Sequence, residues 1–185
     1  MIIRLFVRPQ EPPSNPFHDL EWSLYSYGGE RLGGGVTSKE ELEEIIAQYN
    51  LEDIYLHFIL PASDFSFLTA SVPVKQARHV QQALPYAIEE SVAEDIEVMH
   101  LYIGEKLSKQ EYPVITINKD CMERWYKAIR EIPFALYGMY IDAQLCWSGG
   151  AGITVLVDGD YVLISHHEMS CLRTPLSNLV LYLEL

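Results

Sequence analysis

Residues 60–101 read LPASDFSFLTASVPVKQARHVQQALPYAIEESVAEDIEVMHL, and this is the most informative stretch of the chain. Its first part predicts a β-strand over residues 65–72, because apolar residues lead up to the Val72-Pro73 pair, where proline ends the strand. The next part predicts a helix that begins at Val74 and is kinked or restarted at Pro85, since proline lacks an amide hydrogen. Its apolar positions keep helical spacing and are Ala77, Val80, Leu84, Ile88 and Val92.

The stretch then carries five carboxylates, which form the candidate partner-binding site: Glu89, Glu90, Glu94, Asp95 and Glu97. If the helix continues past Pro85, Glu90, Glu94 and Glu97 share one face at positions i, i+4 and i+7. Like charges at that spacing destabilise a helix by about 0.2–0.5 kcal/mol per pair. Two interpretations remain open, a solvated face that keeps the protein soluble and a docking surface for Arg or Lys side chains of a partner.

Length and charge limit the classes of function. With 185 residues the chain is long enough for one large domain or two small ones, and it can build a core without disulfides or metals. The 26 acidic residues against 13 basic ones give a formal net charge of −13. Such a surface repels phosphate backbones and anionic membrane faces, so we expect no nucleic-acid partner. A basic protein partner is more plausible.

The cellular context follows from cysteine usage and hydropathy. Cys121, Cys146 and Cys171 are too widely spaced for a Cys-x-x-Cys pair, and we expect them to be reduced thiols. No stretch approaches the length of about 18 apolar residues that a membrane span needs. The apolar run at the N-terminus is too short for a signal peptide and has no small-residue cleavage site after it. These observations predict a soluble, intracellular chain.

The remaining chain mixes strands and helices. Ser38 and Glu41 form a capping-box pattern before a helix with Leu42, Ile45, Ile46 and Tyr49 on one face, and a second helix opens at Asp120. Asp158-Gly159-Asp160 is typical of a β-hairpin turn. Strands are predicted over residues 2–7, 21–27, 51–60, 97–103, 112–117, 134–141, 153–157 and 161–165. The fold class is therefore α/β or α+β, with mixed sheets.

No catalytic, cofactor or metal signature accompanies this pattern. The glycines of residues 28–35 precede a helix but lack the Gly-Lys pair of a phosphate-binding P-loop, so they are interpreted as turn glycines. His166 and His167, with Glu168 and Cys171 nearby, point to opposite faces of a strand and are a poor metal site. His57 lies in an apolar strand and is expected to be a hydrogen-bonded core residue. We expect no enzyme activity, no cofactor and no metal.

A family resemblance enters through the proline and acidic positions. The residues that carry it are Leu60-Pro61, Val72-Pro73, Leu84-Pro85-Tyr86 with Glu89 and Glu90, Ala93-Glu94-Asp95, His100-Leu101, Ile141-Asp142-Ala143 and the run from Val155 to Asp160. This arrangement closely resembles the cytoplasmic part of type II secretion system protein L, the GspL family. The resemblance is specific around residues 60–101 and loose before residue 50.

The resemblance implies an actin-like fold, built from two ribonuclease-H-like subdomains with a small α/β insertion. The first subdomain is expected over residues 1–63 and 119–152, the insertion over 64–118, and the start of the second, incomplete subdomain over 153–185. It also implies a non-catalytic scaffold at the cytoplasmic face of the bacterial inner membrane. Its expected partners are the secretion ATPase (the E subunit) and other inner-membrane platform subunits, and homodimerisation stays open. The family's transmembrane helix and periplasmic domain are expected outside these residues.

The alternative function is a nucleotide-binding actin-like ATPase of the pilus-assembly or cell-division kind. Actin-like ATPases place an Asp-x-Gly turn after their first strand, whereas here the first strand, residues 3–8, has no such turn. At the second phosphate position, Asp158-Gly159-Asp160 predicts a tight hairpin without a phosphate loop. We therefore expect no nucleotide binding. A hydrolase that uses His166 or Cys146 has no motif behind it.

Overall fold

The computed structural model describes residues 2–10, 19–49, 53–73, 77–108, 110–147, 149, 152–167 and 170–183. The strands are β1 (Ile2–Pro9), β2 (Leu20–Ser26), β3 (Arg31–Thr37), β4 (Asp53–Leu60), β5 (Ser66–Ser71), β6 (Met99–Ile103), β7 (Glu111–Asn118), β8 (Ala135–Ile141), β9 (Thr154–Asp158), β10 (Tyr161–His167) and β11 (Ser170–Pro175). The helices are α1 (Lys39–Gln48), α2 (Ala77–Ile88), α3 (Lys119–Arg130), α4 (Asp142–Leu145) and α5 (Leu179–Leu183). The predicted mixture of strands and helices in mixed sheets is confirmed, and the nine predicted strands are present with boundaries shifted by a few residues. The elements β3, β11, α4 and α5 were not predicted. The interpretation of Gly33–Gly35 as turn glycines is wrong, because all three lie in β3 and pair with β2, where a strand of small residues still forms its ladder of backbone hydrogen bonds.

The first compact unit consists of the chain up to Pro61 together with Cys121–Ile141. Its sheet has the strand order β3-β2-β1-β4-β8, in which β1 is antiparallel to β2 and parallel to β4. Alternate residues of β1 point to opposite faces, and Ile3, Leu5 and Val7 are fully buried on one of them. With two strands on each side, β1 is the central strand of the sheet.

Helices α1 and α3 both pack on the buried face of that sheet. The Trp125 ring of α3 lies 6.0 Å from the ring of Phe58, which pairs with Val7 in the strand register. Helix α1 begins with the predicted capping box: the Ser38 side chain accepts from the Glu41 amide, and the Glu41 carboxylate accepts from the Ser38 amide. Each bond satisfies a backbone donor that the first turn leaves without a partner.

The second compact unit consists of Ala62–Asp120 and Asp142–Leu185. One antiparallel sheet has the order β5-β7-β6, and α2 buries Val80, Leu84 and Ile88 against Ala70 and Val114. The second antiparallel sheet has the order β11-β10-β9. Its β9–β10 hairpin confirms the predicted turn, because Asp158 pairs with Tyr161 and Gly159 takes a positive φ of 58°. The division into three subdomains, with its boundaries, stays a prediction.

The prediction of one continuous helical face for Glu90, Glu94 and Glu97 is wrong. Helix α2 continues through Pro85 without restarting, but it ends at Ile88, the last of its residues with a buried side chain. Glu89–Ser91 form a single 3₁₀ turn, and Val92 is extended at φ −104° and ψ 147°. Like charges on consecutive turns disfavour the helix, and none of residues 89–92 is fully buried to offset that cost. The predicted start at Val74 lies outside the described residues.

Candidate partner-binding surface

The five predicted carboxylates lie on the connection between α2 and β6, which is called here the acidic segment (residues 89–97). All five side chains are exposed to solvent. The segment is held at both ends, by the buried α2 residues before it and by β6, an edge strand of its sheet, after it. The carboxylates therefore stand on a short, anchored connection and are not spread along one helix.

Three of the carboxylates lie in the half of the segment that leads into β6. The Asp95 carboxylate accepts a hydrogen bond from the Glu97 amide at 2.9 Å and caps the 3₁₀ turn Ile96–Val98. The Glu94 carboxylate accepts one from the side-chain amide of Asn118, which ends β7. The Lys119 ammonium donates to the backbone carbonyl of Glu97 at 2.5 Å. These bonds fix the geometry of this half of the segment.

Glu89 and Glu90 have a different environment. They directly follow the C-terminal end of α2, where the helix dipole places partial negative charge. The structure gives neither side chain a hydrogen bond or an ion pair with any of the residues it describes. A carboxylate at this end of a helix is mildly unfavourable, because like charges meet there. A cation supplied from outside would relieve that repulsion.

Exposed apolar side chains flank the acidic segment, and sequence reasoning missed them as part of the surface. Tyr86 on α2 is 79% exposed, Tyr102 on β6 is 63% exposed, and Val98, next to Glu97, is also exposed. Tyr86 lies about 200° around the helix axis from both Leu84 and Ile88, so the helical period already places it on the outer side. Carboxylates beside exposed tyrosines are the combination that protein interfaces use, with aromatic anchors for affinity and charges for orientation.

The other residues considered from the sequence, as a metal site or a phosphate site, form no such site in the described part of the structure. Among the residues that the structure describes, no group of three or more His, Cys, Asp and Glu side chains is placed to hold a metal ion. His166 lies on β10, whereas the His167 side chain and Glu168 fall outside the description. Asp158 and Tyr161 flank the tight β9–β10 turn, so this second phosphate position is a hairpin.

His57 confirms its predicted role as a hydrogen-bonded core residue. Its side chain is 6% exposed, and its Nδ1 atom lies 3.1 Å from the Tyr140 hydroxyl. Burial lowers the pKa of this imidazole from 6.5, and the nearby Arg4 cation lowers it further. The side chain is therefore neutral at pH 7.

Asp142 is a buried anchor that sequence reasoning quoted as a motif without assigning it a role. One carboxylate oxygen accepts from the amides of Ala62 at 2.8 Å and Ala143 at 2.7 Å. The other pairs with the Arg173 guanidinium at 3.0 Å, which also lies over the Tyr161 ring at 4.4 Å. The group joins three separate parts of the second unit, and breaking such a buried pair costs about 3–5 kcal/mol.

Comparison with known proteins points to one family. The family model described as type II secretion system, protein L, matches residues 5–184. Protein L of Pectobacterium carotovorum subsp. carotovorum is 29% identical over 176 residues, which are 95% of this chain and 37% of that protein. Protein L of Dickeya chrysanthemi is 29% identical over 107 residues, which are 57% of this chain and 26% of that protein. The chain thus spans well under half of the length of these relatives.

Solved structures show the same fold. The cytoplasmic domain of EpsL, an inner membrane component of the type II secretion system of Vibrio cholerae, matches with a TM-score of 0.81 and 20% identity over 97% of this chain and 74% of that one. The PilM–PilN type IV pilus biogenesis complex matches with a TM-score of 0.63 and 10% identity, over 94% and 61%. A Bacteroides thetaiotaomicron protein with an actin-like ATPase fold matches with a TM-score of 0.50 and 8% identity, over 98% and 74%. The expected actin-like fold is confirmed.

Proposed function

Because the chain belongs to the type II secretion system protein L family, we propose that it is the cytoplasmic part of an inner-membrane platform subunit that recruits the secretion ATPase. In this role it is a scaffold without catalytic activity, held at the cytoplasmic face of the membrane by parts of the polypeptide outside these residues. Its other partners are further platform subunits. The described residues contain no helix with the length and hydropathy needed to span a bilayer.

The acidic segment is the proposed contact with the ATPase. The observation that carries this proposal is the exposure of all five carboxylates beside Tyr86, Val98 and Tyr102, in a segment whose sequence contains no Lys or Arg. Glu89 and Glu90 gain most from a cationic partner, since they follow the negative end of α2 and pair with no cation among the residues that the structure describes. The net charge of −13 adds long-range attraction for a basic surface.

Charge reversal of Glu89 and Glu90 tests this placement. We expect the Glu89→Lys, Glu90→Lys double variant to bind the secretion ATPase of the same system about tenfold more weakly, because two attractive charge contacts become repulsive. Isothermal titration calorimetry at two salt concentrations measures the loss. Higher salt should weaken the wild-type complex and reduce the difference in affinity between wild type and the double variant, because ions screen exposed charges.

The chain offers a matched control in Glu43→Lys, Glu44→Lys. This pair of adjacent glutamates lies on α1 in the first unit, and its reversal changes the net charge by the same amount. We expect the control to bind the ATPase within about twofold of wild type, because the change in overall charge alone has only a small effect when salt screens it. Equal binding by wild type and the Glu89/Glu90 variant, with unchanged unfolding curves, would refute the acidic segment as the contact.

A further inference from the structure

The five-stranded sheet of the first unit has a second face, opposite α1 and α3, that is covered by aromatic rings. It is called here the aromatic face, and its six rings come from β2, β1, β4 and β8. They are Phe6, Tyr25, Tyr55, His57, Tyr137 and Tyr140. The register explains the set, because Phe6 pairs with His57 on the side of the sheet away from Val7 and Phe58.

The rings form one connected layer. Phe6 stacks on His57 with ring centroids 4.6 Å apart and meets Tyr25 edge-on at 5.8 Å. On the other side, His57 lies 4.8 Å from Tyr137, which meets Tyr55 edge-on at 6.0 Å. Tyr137 is nevertheless 68% exposed. A continuous ring layer that still presents a tyrosine to solvent is a surface suited to apolar side chains.

A groove of about 340 Å³ adjoins this layer, between β2 and β3. Ser23, Tyr25, Arg31 and Val36 are among its lining residues. Arg4, Tyr25 and Arg31 occupy paired positions on three neighbouring strands, so two arginines flank one tyrosine across the sheet. The backbone makes room for Arg31, because Gly34 lies against its guanidinium and a Cβ there would also come within 2.9 Å of the Trp22 carbonyl oxygen.

The two arginines of this row carry charge that the described residues do not neutralise. Glu21, which also lines the groove, is already engaged by Arg8 at 2.6 Å and by Gln10 at 3.1 Å. Arg31 forms no ion pair with any residue that the structure describes. Within the described part of the chain, Arg4 donates to the Ser26 and Tyr27 carbonyls at 3.4 Å and to no carboxylate, and its buried Nε has no hydrogen-bond partner there. The chain has a net charge of −13, so two arginines that pair with no carboxylate among the described residues are unusual in it.

We propose that the aromatic face and its groove bind a carboxylate-bearing peptide segment of a partner protein. Arg31 and Arg4 receive Asp or Glu side chains, since guanidinium forms strong paired hydrogen bonds with carboxylates. Neighbouring apolar side chains of the partner stack on Tyr25, Phe6 and Tyr137. A second copy of this chain fits less well, because face-to-face contact would bring like-charged arginine rows together. The surface lies in the first unit and is independent of the acidic segment.

A random peptide library displayed on phage tests the proposal with the 185-residue protein as bait. We expect the recovered peptides to be enriched in Asp or Glu next to aliphatic or aromatic residues. Synthetic versions, titrated by fluorescence anisotropy, should bind an Arg31→Glu variant at least about tenfold more weakly than wild type. Arg31 is exposed, so this substitution leaves the core intact. The matched control is Arg130→Glu on α3, which should bind within about twofold of wild type.

Several outcomes overturn the proposal. Recovery of no binder, or of binders without acidic residues, contradicts the chemistry assigned to the arginine row. Equal loss of binding in the Arg31 and Arg130 variants shows that only overall charge matters. In a further outcome, the peptides compete with the secretion ATPase for this protein. If the Glu89/Glu90 reversal abolishes that competition, the peptides bind the acidic segment and not the aromatic face. A wild-type dimer in light scattering that Arg31→Glu dissociates makes a second copy the occupant.

Discussion

At the residue scale, His57 shows how the fold sets the charge of a titratable group. It is enclosed by Phe6, Tyr137 and Tyr140, and Arg4 lies close enough to disfavour a second positive charge. Both effects lower the pKa of the imidazole, with burial the larger cause. The aromatic face therefore keeps an uncharged centre, and its positive charge is concentrated on arginines.

The lowered pKa of His57 predicts how stability depends on pH. The unfolded chain takes up a proton near the ordinary pKa of 6.5, whereas the folded chain does so only at lower pH. Between the two pKa values the unfolded state binds more protons, so the free energy of unfolding falls as pH is lowered below about 6.5. Urea unfolding at a series of pH values should show a shallower decline for His57→Gln. Parallel profiles for the two proteins would contradict this.

Asp142 shows what the sequence could not predict at this scale. The motif Ile141-Asp142-Ala143 was visible in the chain, but its partners Ala62 and Arg173 lie 80 and 31 residues away. A spacing rule reaches only across one helix turn or one hairpin. Only the packed second unit shows that this carboxylate is an anchor. By contrast, His57 needed only its place in an apolar strand for its core role to be inferred.

At the scale of the element, helix α1 and the acidic segment differ in how well the sequence predicted them, because one depends on local contacts and the other on tertiary packing. The Ser38 capping box was predictable because both of its hydrogen bonds join residues three positions apart. The end of α2 was not, because apolar spacing continues to Val92 although the buried contacts stop at Ile88. Helix length follows the packed face more than the pattern of single residues.

The cap of the 3₁₀ turn gives a matched pair of substitutions at Asp95. Asp95→Asn keeps an oxygen that can accept from the Glu97 amide but removes the charge, whereas Asp95→Ala removes both. We expect Asp95→Ala to lower the free energy of unfolding by about 1 kcal/mol and Asp95→Asn to be nearly neutral. Urea unfolding at pH 7 measures this difference.

The same pair separates charge from geometry in partner binding. If the Asp95 charge contributes to ATPase recruitment, both variants should weaken binding by a similar factor, since both lose one negative charge. If geometry alone matters, only Asp95→Ala weakens it. Wild-type affinity in both variants would remove Asp95 from the proposed contact and leave Glu89 and Glu90 to carry it.

At the scale of the whole molecule, the fold was predictable because the family resemblance rests on residues spread along most of the chain. Proline positions, the acidic run and the hairpin motif indicated an actin-like fold, which the structural matches confirm. The aromatic face was not predicted, because its rings come from four strands that are separated in sequence. Its members meet only through strand register, which periodicity within one strand does not reveal.

An actin-like fold raises the question of nucleotide binding, and we expect this chain not to bind ATP. After β9 the chain turns back at Asp158-Gly159-Asp160, and the pairing of Asp158 with Tyr161 leaves no loop whose amides could surround a phosphate. Actin-like ATPases carry an Asp-x-Gly turn after their first strand, and the sequence of β1 and the residues that follow it has no such turn. Isothermal titration with Mg-ATP should give only the heat of dilution. A saturable, magnesium-dependent signal that Asp158→Ala abolishes would identify this turn as a phosphate site and favour the ATPase alternative over a scaffold.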